Sequence, residues 1–274
     1  MSESGLGAFL RSCREATPPE RVGLAAGPRR RTPGLRRAEL ATLSGVSVDY
    51  LTRLEQGRDR NPSPQVLVAL ADALRLSVGE RVRLRNLSKT ASGVGALCPG
   101  GAPPEREVRP GLRAVLSALE PAPAVVLNRL GESLVHTDAY ERLMGPTGLL
   151  DREDDQPSNR VWFVFADDRA REVYPEWEAV ADARLGELWA EAAPGDRHLE
   201  HLVEELTIVA GEPFTGRWDA KPSPPPEHGV EVLAHPLVGR LRLTYERLDG
   251  QGHRLVVYGA ADEATADALA ALKP

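Results

Sequence analysis

Arginine is the side chain best matched to guanine, because its planar guanidinium can donate two parallel hydrogen bonds to O6 and N7 on the major-groove edge. The stretch RAELATLSGVSVDYLTRL, from Arg37 to Leu54, holds such an arginine, Arg53. At helical spacing Arg53 shares one face with Val48, Asp49 and Thr52, and Ser47 stands at the start of the same helix. A carboxylate at Asp49 can accept from cytosine N4, so Ser47, Val48, Asp49, Thr52 and Arg53 form a candidate base-reading set. Further cations flank it at three places: Arg29, Arg30 and Arg31 ahead, Arg36 and Arg37 at the opening of the preceding helix, and Arg58 and Arg60 with Asn61 behind. Clusters so placed would grip phosphates on either side of an inserted helix. The partner this implies is double-stranded DNA, read as an inverted-repeat operator by a homodimer whose two reading helices lie about 34 Å apart.

Other chemistry is weakly supported. His198, Glu200, His201 and Glu204 place two imidazoles three residues apart on one helix, a spacing that metal ligands use. A third ligand has no obvious source, and the polar face of a surface helix explains the cluster, so no metal is expected. His136, close to Asp138, and His235, before Pro236, could carry protons, but each also fits a hydrogen-bonded structural role. No glycine-rich phosphate loop, nucleophile elbow or paired-carboxylate signature is present, so neither enzymatic activity nor a cofactor is expected. The aromatic residues leave two alternatives open. Phe163, Trp177, Phe214, Trp218 and Tyr245 could line a cavity between sheet and helices, or they could simply fill a core.

The elements that must position these residues follow from periodicity. Apolar residues recur at helical spacing over Leu6–Cys13, Leu35–Leu43, Val46–Leu54, Val66–Leu74 and Val78–Leu87, which predicts five short helices. Within the second and third, Ala41 supplies a small contact and Gly45 a turn, while Val46, Tyr50 or Leu51, and Leu54 face inward, as a helix-turn-helix requires. Ser88 to Pro110 is rich in Gly and Pro and reads as a linker. Beyond it, Ala124–Asn128, Glu132–Thr137 and Val161–Phe165 read as strands, then Glu172–Ala193 and His198–Val209 as helices. Val230–His235, Arg240–Leu248 and Arg254–Tyr258 read as an antiparallel sheet, and Asp262–Leu272 as a last helix. The expected organisation is a helix-turn-helix domain over residues 1–88, a linker over 89–110 and an α+β domain with an antiparallel sheet over 111–274.

The 274 residues carry a net charge of −6, unevenly spread. Residues 1–90 hold 16 Lys and Arg against 9 Asp and Glu, and the remainder 18 against 31, giving +7 and −13. The first segment is attracted to phosphate and the second is repelled by it. Neither a membrane-spanning run nor a secretory leader is recognisable, which predicts a cytoplasmic protein with reduced thiols at Cys13 and Cys98.

Taken together, RRRTPGLRRAELATLSGVSVDYLTRLEQGRDRNPSPQVLVALADAL resembles the five-helix repressor-type domain of the Xre family, in the branch with a MmyB-like C-terminal domain. VRPGLRAVLSAL, REVYPEWEAVA, HPLVGRLRLTYERL and RLVVYGAADEATADALAAL extend the resemblance over nearly the whole chain. It implies a PAS-like C-terminal domain that binds a small, apolar ligand and adjusts transcription. The other reading of that domain is a protein-interaction or dimerisation module without ligand. Where the branch carries Ala-Trp-Asn after the first strand, this chain has LVHTDAY, with His136 and Thr137.

Overall fold

The computed structural model describes residues 5–25, 34–59, 61–92, 103–151, 157–192, 196–250 and 252–272. Arg29, Arg30, Arg31, Arg60 and Cys98 lie outside them. Contacts divide the chain into two units, one of residues 1–99 and 201–215, the other of residues 100–200 and 216–274.

The first unit is helical. Its N-terminal part contains α1 (Gly5–Ala16), α2 (Arg37–Ser44), α3 (Val48–Glu55), α4 (Pro64–Ala73) and α5 (Val78–Ser92), with a short 3₁₀ turn at Pro19–Val22. The five expected helices are all there. Ser47 and Ser63 cap α3 and α4 by accepting from the backbone N–H three residues on, satisfying donors that a helix start leaves open. Leu6, Leu10, Leu40, Ala41, Leu51, Leu54, Leu70 and Leu84 share one core, which Ile208 joins. Gly7 sets how closely α1 approaches α3. A Cβ there would stand 2.5 Å from the Glu55 carbonyl oxygen and 2.7 Å from that of Leu54, so only glycine fits without a shift of backbone.

The second unit begins with α6 (Pro110–Ala118), β1 (Ala124–Asn128), β2 (Ser133–His136) and α7 (Asp138–Met144), followed by α8 (Arg160–Ala166), α9 (Arg169–Val173) and α10 (Trp177–Ala190). The chain continues as α11 (Arg197–Ala210), whose residues from His201 fall in the first unit, and α12 (Glu212–Ala220). It ends with β3 (His228–His235), β4 (Gly239–Gly250), β5 (His253–Ala260) and α13 (Glu263–Ala271). The five strands form one antiparallel sheet in the order β2-β1-β5-β4-β3. β1 lies inside the sheet and is buried at every residue. α6 and the segment before it contribute Leu116 and Val108 to a core with Val126 and Leu255.

Two expectations are corrected. Val161–Phe165 is not a strand but lies within the helix α8, where the Asn159 side chain caps the N–H groups of Val161 and Trp162. The run is buried on nearly all sides, and an apolar run without periodicity fits either element. The single helix expected over Glu172–Ala193 is two, α9 and α10, interrupted at Tyr174–Glu176 around Pro175, which has no N–H to give the ladder. The helix α7 was not expected. Thr137 caps it by accepting from Tyr140 N–H, and it packs Ala139, Tyr140, Leu143 and Met144 inward.

Candidate nucleic-acid interface and buried polar site

The turn between α2 and α3 is made by Gly45, at φ 67° and ψ 21°. Val46 N–H donates to the Ala41 carbonyl at 3.0 Å, closing the end of α2 in the left-handed cap that glycine favours. Ser47 Oγ then accepts from Tyr50 N–H at 3.1 Å and α3 begins. Leu51 and Leu54 are fully buried, so the opposite face is fixed outward. Ser47, Val48, Asp49 and Arg53 are exposed there, Val48 by 46%, and Thr52 is half-buried with its hydroxyl donating to the Val48 carbonyl at 2.7 Å. The five residues assigned to base reading are thus brought onto one end and face of α3. Arg53 pairs with Asp49 one turn before it, and its guanidinium lies 5.9 Å from the Tyr50 ring centre.

The flanking cations divide. Arg36, Arg58 and Asn61 are exposed. Arg37 is turned toward the protein: its Nε donates to Glu55 at 2.7 Å. That carboxylate is 2% exposed and is also clamped by Arg14, at 2.6 Å from Nε and 3.2 Å from Nη2. Arg14 further donates to the Leu35 carbonyl at 2.9 Å. One buried anion therefore ties α1, the start of α2 and the end of α3 together. The sequence reading missed Glu55, although its place four residues after Leu51, on the inward stripe of α3, was the signal.

In the second unit the aromatic residues proposed for a ligand cavity do not form a single wall. Phe163 packs edge-on against Tyr174, with ring centres 6.3 Å apart. Trp177 packs against Phe165 at 5.7 Å and donates from Nε1 to the Val164 carbonyl at 2.9 Å. Trp218 is stacked on Trp189 at 4.4 Å. Phe214 is fully buried and falls in the first unit. Of the five, Tyr245 borders a small internal space whose lining is largely polar: Arg160, Arg184, Glu187, Glu231, Tyr245, Arg247, Val256 and Tyr258. Arg160, Arg184 and Glu187 are 4%, 5% and 8% exposed. Glu187 lies 3.5 Å from Arg184 and Arg247 and 3.3 Å from Arg254, and this cation shell holds its carboxyl below the ordinary range against the opposing effect of burial. Arg184 also pairs with Glu231. Burial pushes the hydroxyls of Tyr140, Tyr174 and Tyr258 up, so all three stay neutral. The signal for this interior was present: Arg247 continues the inward alternation of Leu241, Leu243 and Tyr245, and Arg184 lies on the apolar stripe of α10.

Of the histidines, His235 is buried, and its Nδ1 accepts from the N–H of Leu237 at 3.2 Å and of Val238 at 3.4 Å, fastening the β3–β4 turn. His136 Nε2 is 3.3 Å from Glu141, and His201 Nε2 is 3.0 Å from Glu205. Among the described residues no three His, Cys, Asp or Glu side chains gather as a metal would need, and no helix is long and apolar enough to cross a membrane.

An exposed outer face on the second helix of a helix-turn-helix, together with an α+β domain, fits a DNA-binding transcription regulator with a ligand-binding domain. Comparison with protein families agrees: residues 5–84 match a helix-turn-helix domain, and residues 108–272 match the MmyB-like transcription regulator ligand binding domain. The second match spans more than half of the chain, which belongs to the MmyB-like transcription regulator family. No curated protein matches it.

Proposed function

We propose that this chain is a repressor-type, Xre-like regulator that reads specific DNA sequences with α3 and is modulated by a small molecule held in its second unit. The observation that carries the reading is the exposed set Val48, Asp49, Thr52 and Arg53 above the buried pair Leu51 and Leu54. A helix locked by its inner face presents its outer face in one orientation, which groove recognition needs. The C-terminal unit is read as PAS-like on its five-stranded antiparallel sheet with helices inserted between β2 and β3. The protein acts by binding and not by turnover. It binds as a homodimer at inverted half-sites about one helical turn, roughly 34 Å, apart.

Selection of preferred duplexes, followed by binding titrations at several salt concentrations, tests this. Arg53→Ala should lose about 1–3 kcal/mol at one base position and relax preference there. Arg36→Ala should weaken all duplexes alike and reduce the salt slope by about one. Failure of the unmodified protein to prefer any duplex overturns the reading, and a footprint over a single half-site overturns the dimer.

A further inference from the structure

The two edges of the five-stranded sheet are finished differently. At one edge β2 has only 4 residues, its pairing with β1 shifts register between Val126 and Leu127, and the Ser158 carbonyl takes the N–H of Ser133 at 2.7 Å. Short length, an irregular register and a covering segment are devices that keep an edge from pairing with another chain. β3, at the other edge, has none of the three. It runs for 8 residues without Pro or Lys and pairs with β4 in unbroken register, from His228 opposite Glu246 to His235 opposite Gly239. Its one acidic side chain, Glu231, is turned inward and paired with Arg184. Bonding positions alternate along an antiparallel ladder. Arg247 N–H donates to the Glu227 carbonyl at 2.7 Å, so Gly229, Glu231, Leu233 and His235 are the positions bonded to β4. The N–H and C=O groups of His228, Val230, Val232 and Ala234 therefore point out of the sheet, and among the described residues none bonds to them.

The side chains of this hairpin suit a second copy of the same edge. Val230 is 49% exposed, Leu237 in the β3–β4 turn 70%, and Leu248 near the far end of β4 59%. Such exposure gathered on one hairpin, and not scattered singly, marks an interaction surface. Charge follows the same plan. On the face of the sheet that carries Val230, Arg240 stands beside Ala234 at one end and Glu246 beside His228 at the other, and both are exposed. A two-fold axis that sets β3 antiparallel to its copy reverses that order, so each arginine falls at the end that holds the other chain's glutamate. Their backbones are then three strand spacings apart, about 14 Å, a gap that two long side chains narrow from both sides.

We infer that β3 is an interface between two copies of this chain, joined antiparallel about a two-fold axis at Glu231 so that the two sheets become one. His228 lies opposite the partner's Ala234 and Val230 opposite the partner's Val232, each pair exchanging two backbone bonds. This register joins outward-pointing groups over the whole strand. Val230 is covered by a valine of the other chain, and the partner's turn brings its Leu237 to the end where Leu248 is exposed. Glu231 meets its own copy at the axis, but each carboxylate is neutralised by Arg184 of its own chain. The inference deepens the homodimer reading above and rests on it only for the claim that this dimer is the one that binds DNA.

Sedimentation velocity of the purified full chain without DNA, over a range of micromolar concentrations, should show a reversible dimer. Val230 N–H makes no bond within the chain, so Val230→Pro takes a donor from the edge and leaves the β3–β4 ladder whole. It should weaken dimerisation by on the order of a hundredfold, with far-UV circular dichroism unchanged. Should that variant not fold, Val230→Lys sets a charge on the same edge and should act in the same direction. Arg240→Glu and Glu246→Arg should each weaken the dimer by roughly tenfold, and combined they should restore it, which a general loss of stability would not do. A chain that stays monomeric overturns the interface, as does a dimer untouched by the Val230 variant that folds, or charge reversals whose losses simply add. The DNA-bound dimer is judged apart from this. Paired half-sites footprinted by a dimer indifferent to Val230 leave the homodimer reading standing and overturn the edge. A Val230-sensitive dimer that covers a single half-site supports the edge and overturns that reading.

Discussion

Replacing the buried Glu55 by alanine should damage the first unit more than any single change at its exposed charges. The carboxylate is 2% exposed and holds Arg14, whose side chain is 7% exposed, through two hydrogen bonds. Once it is removed, Arg14 keeps only the Leu35 carbonyl at 2.9 Å and the exposed Glu15 at 3.1 Å. Breaking one side of a buried ion pair costs about 3–5 kcal/mol, a large part of the roughly 5–15 kcal/mol that holds a domain folded. Arg37→Ala removes the outer partner, whose side chain is 36% exposed, and should cost no more than about 1 kcal/mol. Urea denaturation resolves the two if read by two probes. The tryptophans Trp162, Trp177, Trp189 and Trp218 all belong to the second unit, so their fluorescence follows that unit, while far-UV circular dichroism also follows α1 to α5. With an m-value of about 1.5 kcal/mol/M, Glu55→Ala should move the dichroism midpoint down by about 2 M or more. The fluorescence midpoint should stay in place. A shift no larger than that of Arg37→Ala would refute the reasoning, because the burial of the Arg14–Glu55 pair would then carry no energetic weight.

Two glycines should respond differently to alanine. At Gly45 nothing lies within 4 Å of a new Cβ, so the cost is that of the left-handed conformation alone, about 1–2 kcal/mol, with Gly45→Asn milder. At Gly7 the new Cβ meets two backbone carbonyls and α1 must move, so Gly7→Ala should lose roughly 3 kcal/mol or more in the same denaturation experiment; equal losses would contradict this account. Burial lowers the pKa of His235 from its ordinary 6.5, so the folded state resists the proton that the unfolded state accepts. Stability from this group is complete above pH 6.5 and declines as pH falls below it. Melting temperature followed by tryptophan fluorescence from pH 7.5 to 5.5 should fall less steeply in His235→Gln than in the unmodified protein, and parallel curves would disprove the assignment.

Much of the first unit was legible because its helices obey strong local rules. Gly45, Ser47 and the stripe of Leu51 and Leu54 each restrict the backbone within a few residues of themselves, so reading along the chain finds them. What escaped was long-range. Glu55 meets Arg14 across 41 positions, and no local pattern announces that pairing. The sheet of the second unit was visible from the alternation in β4, whereas α8 was misread because its run is buried nearly all round and carries no period. The interior was read by its most conspicuous residue type. Tryptophans and phenylalanines allowed either a cavity or a filled core; several pack on one another, and a small internal space is bordered by arginine, glutamate and tyrosine brought from α8, α10 and three strands.

The contact between Asp49 and Arg53 bears on how such a protein searches a chromosome. Between encounters the arginine is occupied by its own helix, in an exposed i,i+4 pair worth about 0.3–0.5 kcal/mol. Letting go of so weak a latch is a small loss against the roughly 1–3 kcal/mol gained at a correctly placed guanine. On the proposed role of Arg53, the latch would stay shut over any other base. Under that proposal, sliding along arbitrary duplex would be left to exposed cations such as Arg36 and Arg58, and Arg53 would commit only where the sequence offers it something better than its neighbour.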